Sequence, residues 1–163
     1  MAGVRRAGKT TLARSFPAED CLYLNCDSPR VLESLADPEF FFSQVRQRIV
    51  ILDEIHQLPD PTRVLKLAAD EFPQLKLIAT GSSTVAAAKK FRDALTGRKR
   101  VVCLRPVLFS ELPAFGNPPL TERLLRGGLP PALLAKTADP EFCREWLDSH
   151  FARDIQELFG VAK

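Results

Sequence analysis

Residues 3–10 read Gly3-Val4-Arg5-Arg6-Ala7-Gly8-Lys9-Thr10, which fits G-x-x-x-x-G-K-[ST] with no mismatch. Nothing else in the chain restricts its fold so tightly. Glycines there let the backbone curl until successive N–H groups face one anion. The positive end of a following helix adds to that field, and Thr11-Leu12-Ala13-Arg14 continues as helix. In such a cradle Lys9 is a mobile point charge for β- and γ-phosphates. The Thr10 hydroxyl enters the shell of a Mg²⁺ ion. Gly3, Arg6, Ala7, Gly8, Lys9, Thr10 and Thr11 are therefore the candidate nucleotide-binding residues. The plain alternative is a chance match in a flexible basic N-terminus.

Beyond the loop, short apolar runs alternate with amphipathic stretches, the pattern of a layered α/β domain. The runs are Cys21 to Cys26, Ile49 to Leu52, Leu75 to Thr80 and Val101 to Leu104. The second and fourth are β-branched and unbroken, as in parallel strands buried on both faces. Helical patterns span residues 39–48, 62–72 and 84–95. The middle one puts Leu65, Ala68, Ala69 and Phe72 on one side, and Phe40, Phe41 and Phe42 are expected to pack on the sheet.

After Pro106 the character changes. A short helix over 109–115 is expected, and Gly116-Asn117-Pro118-Pro119 and Gly127-Gly128-Leu129-Pro130-Pro131 are breaks. Asp139-Pro140 then caps a long helix. Its stripe of Phe142, Trp146, Phe151, Ile155, Leu158 and Phe159 must be buried on something. The division expected is a core over 1–106 and a helical lid, or the start of a C-terminal region, over 107–163.

At 163 residues, 45% hydrophobic and 26% charged, the chain is neither disordered nor fibrous. A net charge of +3 is too mild to announce a nucleic-acid or membrane partner. No apolar stretch is long enough to span a membrane and no secretory signal is present, so a cytoplasmic, reduced location is expected. Cys21, Cys26, Cys103 and Cys143 have no zinc-site spacing and read as buried, unreactive thiols.

Asp53-Glu54 follows four bulky apolar residues, so both carboxylates belong at a strand's C-terminal edge, where α/β sheets bind ligands. Asp53 there holds Mg²⁺ through a water, and Glu54 polarises the water that attacks a γ-phosphate. An ordinary solvated strand end is the alternative. Gly81-Ser82-Ser83 ends the third run: Ser82 is the candidate contact to the γ-phosphate or water, and Ser83 the candidate helix cap. His56 reads as a surface residue.

Together the segments GVRRAGKTTLARSF, LYLNCDSPR, ILDEIHQLPD, LKLIATGSS, LTGRKR and CLRPVLFSEL resemble the bacterial and archaeal AAA-like P-loop ATPases, usually described only as ATP-binding proteins. Gly127-Gly128-Leu129-Pro130 and Arg153-Asp154-Ile155 are similar to that family's late GG-x-P and R-D-[IL] signatures. The resemblance implies a three-layer P-loop NTPase core, a parallel sheet in the order 5-1-4-3-2, and C-terminal helices. It implies ATP and Mg²⁺ as cofactors. Lys9 and Thr10 take the phosphate and metal roles, Asp53 is the metal-side acid and Glu54 the catalytic base. Ser82 falls at the sensor position. Arg98 is a charge stabiliser, acting within the chain or on a neighbour, unless it is one of a solvated cluster with Lys99 and Arg100.

The family has an apolar strand before the loop, and here only Met1 and Ala2 precede Gly3. The first strand is therefore expected to be missing, at a cost of roughly 10 kcal/mol of burial. The chain is expected to be a fragment, trimmed at both ends, with weakened nucleotide affinity. Other readings stand beside the Mg²⁺-dependent ATPase. One is a nucleotide-controlled interaction module that binds a partner, DNA or a second copy with little or no hydrolysis. Another is a small-molecule kinase using Arg123 and Arg126. Nucleic-acid binding stays open through Lys89, Lys90, Arg92, Arg98, Lys99, Arg100 and Arg105, although no aromatic platform interleaves them.

Overall fold

A computed structural model describes residues 1–82, 95 and 97–150. The elements run β1 Ala2–Gly3, α1 Lys9–Arg14, β2 Cys21–Asn25, α2 Pro29–Ser34, α3 Pro38–Gln44 and β3 Ile49–Asp53. A 3₁₀ turn at Ile55–Gln57 follows, then α4 Pro61–Glu71, β4 Lys76–Ala79, β5 Gly81–Ser82 and β6 Cys103–Leu104. Beyond the strands come a 3₁₀ helix at Phe109–Phe115, then α5 Leu120–Arg126, α6 Pro130–Leu134 and α7 Pro140–His150. The protein is thus α/β with parallel strands and C-terminal helices.

The strands pair in two parallel sets, β2-β3-β4 and β5-β1-β6. The sets meet at Thr80. Its amide donates to the Leu52 carbonyl at 2.9 Å, and the next amide, Gly81, donates to the Met1 carbonyl at 3.2 Å. Contrary to the expectation of a missing first strand, Ala2 and Gly3 form one and pair on both sides, with Gly81–Ser82 and Cys103–Leu104.

β3 is the centre of its set. Val50, Ile51 and Leu52 are fully buried, which is what an unbroken β-branched run between two helical layers requires. Alternation sends Val50 and Leu52 to one side, with Phe42, Val64, Ala68 and Cys26. It sends Ile51 to the other, with Ala13 of α1, Cys21 and Tyr23. That second side points Asp53 toward α1.

Several expectations are corrected in detail. The helix expected over 39–48 ends at Gln44, and Phe40 is 66% exposed while Phe42 is buried. Three successive residues sweep about 200° around a helix and cannot share one face. Asp37 caps this helix by accepting from the Phe40 amide at 3.1 Å. On α4 the buried residues are Val64 and Ala68, and Ala69 is exposed. Val64 buries more apolar area than Ala69 would, and so turns the face. In the fourth run Val101 and Val102 are 64% and 56% exposed. Only Cys103–Leu104 pairs, because the partner strand β1 is two residues long. The short helix over 109–115 is present as 3₁₀.

The cysteines divide. Cys21 and Cys26 are buried, whereas Cys103 and Cys143 are exposed and all four are free. Burial, reinforced by Asp53, pushes the Cys26 thiol up to about 11. A thiol reagent at neutral pH is expected to modify Cys103 and Cys143 rapidly and to reach Cys21 and Cys26 only on unfolding. Mass spectrometry of native and denatured samples checks this. Because the raised thiol keeps its proton in the folded state, Cys26 contributes stability in full below pH 9, and that contribution is lost as pH rises toward 11.

Among the described residues no helix is long and apolar enough to cross a membrane. Ser83, Lys89, Lys90, Arg92, nearly all of the helix expected over 84–95, and the segment with Phe151, Arg153, Asp154, Ile155, Leu158 and Phe159 lie outside the described residues.

Candidate functional site

The loop between β1 and α1 is shaped differently at its two glycines. Gly3 is buried in β1, and a Cβ there would stand 2.5 Å from the Leu104 carbonyl oxygen of β6. Close approach of the neighbouring strand, rather than curling, demands glycine at this position. The curl lies at Arg6 (φ 63°) and Gly8 (φ 92°), both left-handed. For Arg6 that backbone costs roughly 1–2 kcal/mol. Gly3→Ala is expected to destabilise the fold by about 1–3 kcal/mol, read as a lower urea midpoint, because backbone rather than a flexible side chain must give way.

Lys9 was expected to be a mobile charge. Its side chain is instead buried, with Nζ donating to the Gly3 and Val4 carbonyls at 2.9 Å each. The ammonium is thereby fixed inside the loop's own turn, closed by the Ala7 amide donating to the Val4 carbonyl at 3.3 Å. Thr10 lies in the first turn of α1, and Thr11 beside it is exposed.

Asp53 is where loop and sheet meet. The last residue of β3, it is 2% exposed. The Tyr23 hydroxyl donates to its Oδ2 at 2.6 Å. The Thr80 hydroxyl donates to Oδ1. The Thr10 hydroxyl and the Glu54 amide stand close enough to favour its charged form. Burial works to raise the Asp53 carboxyl, but these donors outweigh it and hold it below the usual carboxylate range. Tyr23 moves the other way, raised by burial and then by its bond to Asp53. The Arg14 guanidinium of α1 stands 5.0 Å over the Tyr23 ring.

Tyr23 and Thr80 are the residues that the sequence reading missed. The available signals were weak: Tyr23 shares a strand face with Cys21, and Thr80 is the one hydroxyl closing the third apolar run. Thr80 is a junction as well as a donor. Its hydroxyl accepts from the Glu54 amide at 3.2 Å and its carbonyl from the Ile55 amide at 3.0 Å.

Glu54 is left-handed (φ 54°, ψ 44°), a strained setting of the kind found at functional sites. That turn carries its side chain away from the buried Asp53 to His56, whose Nδ1 is 3.3 Å from Oε2. His56 is on the surface as expected, but it is Glu54's partner. Ser82 stands beside Gly3 in the strand register.

Two expected residues are directed elsewhere. Arg6 turns to α7, where it pairs with Glu145 at 3.3 Å and covers the Phe142 ring at 4.5 Å. Arg98 pairs with Asp70 at 2.9 Å. Because α4 runs back from the strand ends, Asp70 belongs to the edge of the sheet opposite Asp53, so Arg98 is not brought to this chain's own carboxylate.

The structure therefore brings together Lys9, Thr10, Asp53 and the backbone of Ser82, with Tyr23 and Thr80 added. No curated protein matches the chain. A family model described as an AAA domain matches residues 1–113, and with its phosphate loop set against a buried strand-end aspartate the chain belongs to the AAA domain family, P-loop proteins that in general bind and hydrolyse nucleotide.

Proposed function

We propose that this chain binds Mg²⁺-ATP at residues 3–11 and hydrolyses it with Glu54 as the base. The observation that carries this is the convergence of the Thr10 hydroxyl, one residue after the loop lysine, on the buried Asp53 carboxylate, which it helps to hold in its charged form. Two independent sequence motifs meet there. Ladders meeting at Thr80 support reading the strands as one sheet, β6-β1-β5/β4-β3-β2, which is the order 5-1-4-3-2 when β4 and β5 are counted as its fourth strand and β6 as its fifth.

A hydroxyl and a carboxylate suit Mg²⁺, which takes oxygen ligands, keeps several waters and takes phosphate oxygens for the rest. Thr10 would hold the ion directly and Asp53 through water. Held by these two residues, such an ion would supply positive charge to offset that on the transferring phosphate. The chain's own residues do the remaining work. Lys9 and the loop amides orient the β- and γ-phosphates. Glu54 turns from His56 to take a proton from water, whose oxygen bonds to the γ-phosphorus as the bond to the β-phosphate oxygen breaks. ADP and inorganic phosphate are released. Ser82 is proposed to contact the γ-phosphate, and Arg98 to serve only the site of a second copy.

Lys9→Ala is expected to lower phosphate release at least tenfold, and chelating Mg²⁺ to stop it in the parent. Undiminished release in the variant contradicts the assignment.

A further inference from the structure

The face that α7 presents to the loop is built from one stripe. Phe142, Glu145 and Trp146 are spaced i, i+3, i+4 and share a side of the helix. All three reach the loop. The Trp146 indole Nε1 donates to the Arg5 carbonyl at 3.2 Å. Glu145 and Phe142 take the two faces of the Arg6 side chain's interactions, one by charge and one by the ring. A cap fixes where the helix starts, with Asp139 accepting from the Glu141 and Phe142 amides at 3.0 Å each. These contacts join residues about 140 positions apart, and they fall on the two loop residues that precede Ala7-Gly8-Lys9.

We infer that α7 is a regulatory latch on the phosphate loop, in which Trp146 positions the Arg5–Arg6 peptide while Glu145 competes with bound nucleotide for Arg6. This rests on the reading that the loop binds ATP. In a trans peptide the carbonyl and the following N–H point in opposite directions. Holding the Arg5 carbonyl against Trp146 therefore holds the Arg6 N–H facing away from α7, and it steadies a residue whose backbone is left-handed. Trp146 is thus a positioning residue for a loop donor.

Glu145 has the opposite effect. Its pair with Arg6 is 63% and 44% exposed at the two side chains, and an exposed pair of this kind is weak. A triphosphate carries far more negative charge than one carboxylate and takes the guanidinium from it. Arg6 then leaves Glu145 and Phe142, and α7 loses two of its three holds. Occupancy of the loop is in this way transmitted to the C-terminal helices.

Trp146 is the only tryptophan in the chain, so its emission reports on the latch directly. Mg²⁺-ATP added to the whole chain is expected to shift that emission along the binding curve measured by calorimetry. Trp146→Phe, which keeps the ring but cannot donate, is expected to weaken ATP binding about threefold to tenfold. Glu145→Gln is expected to tighten it about threefold at low salt. Opposite signs from neighbouring residues separate a latch from general loosening of the helix, which would weaken both. Calorimetric binding with unchanged Trp146 emission and parental affinity in both variants overturns the latch and leaves the ATP reading intact. Absence of calorimetric binding in the parent overturns both.

Discussion

Glu54→Gln is expected to lower ATP hydrolysis by at least tenfold and toward the 10²–10⁴ of a lost general base, with ATP affinity and thermal stability near the parent's. Glutamine keeps the shape of the side chain and its reach to His56, and removes only the ability to take a proton. Glutamine and glutamate meet the left-handed backbone at this position (φ 54°) with the same Cβ, so the variant adds no new strain. A change of shape or fold is therefore not the cause of any lost activity. Phosphate release and calorimetric binding on one preparation give the check. Equal turnover in the two proteins counts against Glu54 as base, and joint loss of binding and turnover counts against the division of labour with Asp53.

Asp53→Ala is expected to have the largest structural effect. The carboxylate takes the Tyr23 and Thr80 hydroxyls at a position 2% exposed. Removing it strands two donors, at about 1–3 kcal/mol for each buried unsatisfied group. A loss of about 2–6 kcal/mol is expected, the sum over those two donors. Tyr23→Phe, which removes one donor, should cost about 1–2 kcal/mol. Urea denaturation of both variants measures the difference.

The pH dependence of these losses has a definite sign. The folded Asp53 carboxyl sits below its unfolded value, so its contribution to stability is present above the ordinary carboxylate range. It is lost as pH falls through the lowered value. The parent should therefore lose stability in acid more steeply than Asp53→Ala, and the two curves should converge there. Parallel curves throughout would mean that the carboxylate is not ionised in the folded protein.

What could be read from residues alone was what is local. The glycine-lysine-threonine string, the apolar run before Asp53 and the Asp139-Pro140 cap each carry their meaning within ten residues. Each appears where it was expected. Tyr23 was not legible, because its bond to Asp53 exists only once β2 and β3 align Asn25 with Asp53. Thr80 was not, because its role comes from two ladders meeting. The Arg6–Glu145 pair was not legible either, because the loop motif is linear and only the folded chain sets Glu145 beside Arg6. Val101 and Val102 read as buried strand since a β-branched run carries no record of how long its partner is. Cys103 and Cys143 were misread for the same reason: exposure is a property of neighbours.

Backbone amide chemical shifts on titration with Mg²⁺-ATP test the central claim most directly. Enclosure of the triphosphate by the loop beside Asp53 predicts the largest shifts at Arg6, Ala7, Gly8, Lys9 and Thr10, with Asp53 and Glu54 moving in the same transition. Loop amides that stay in place at saturating nucleotide, or shifts confined to a distant surface, contradict it.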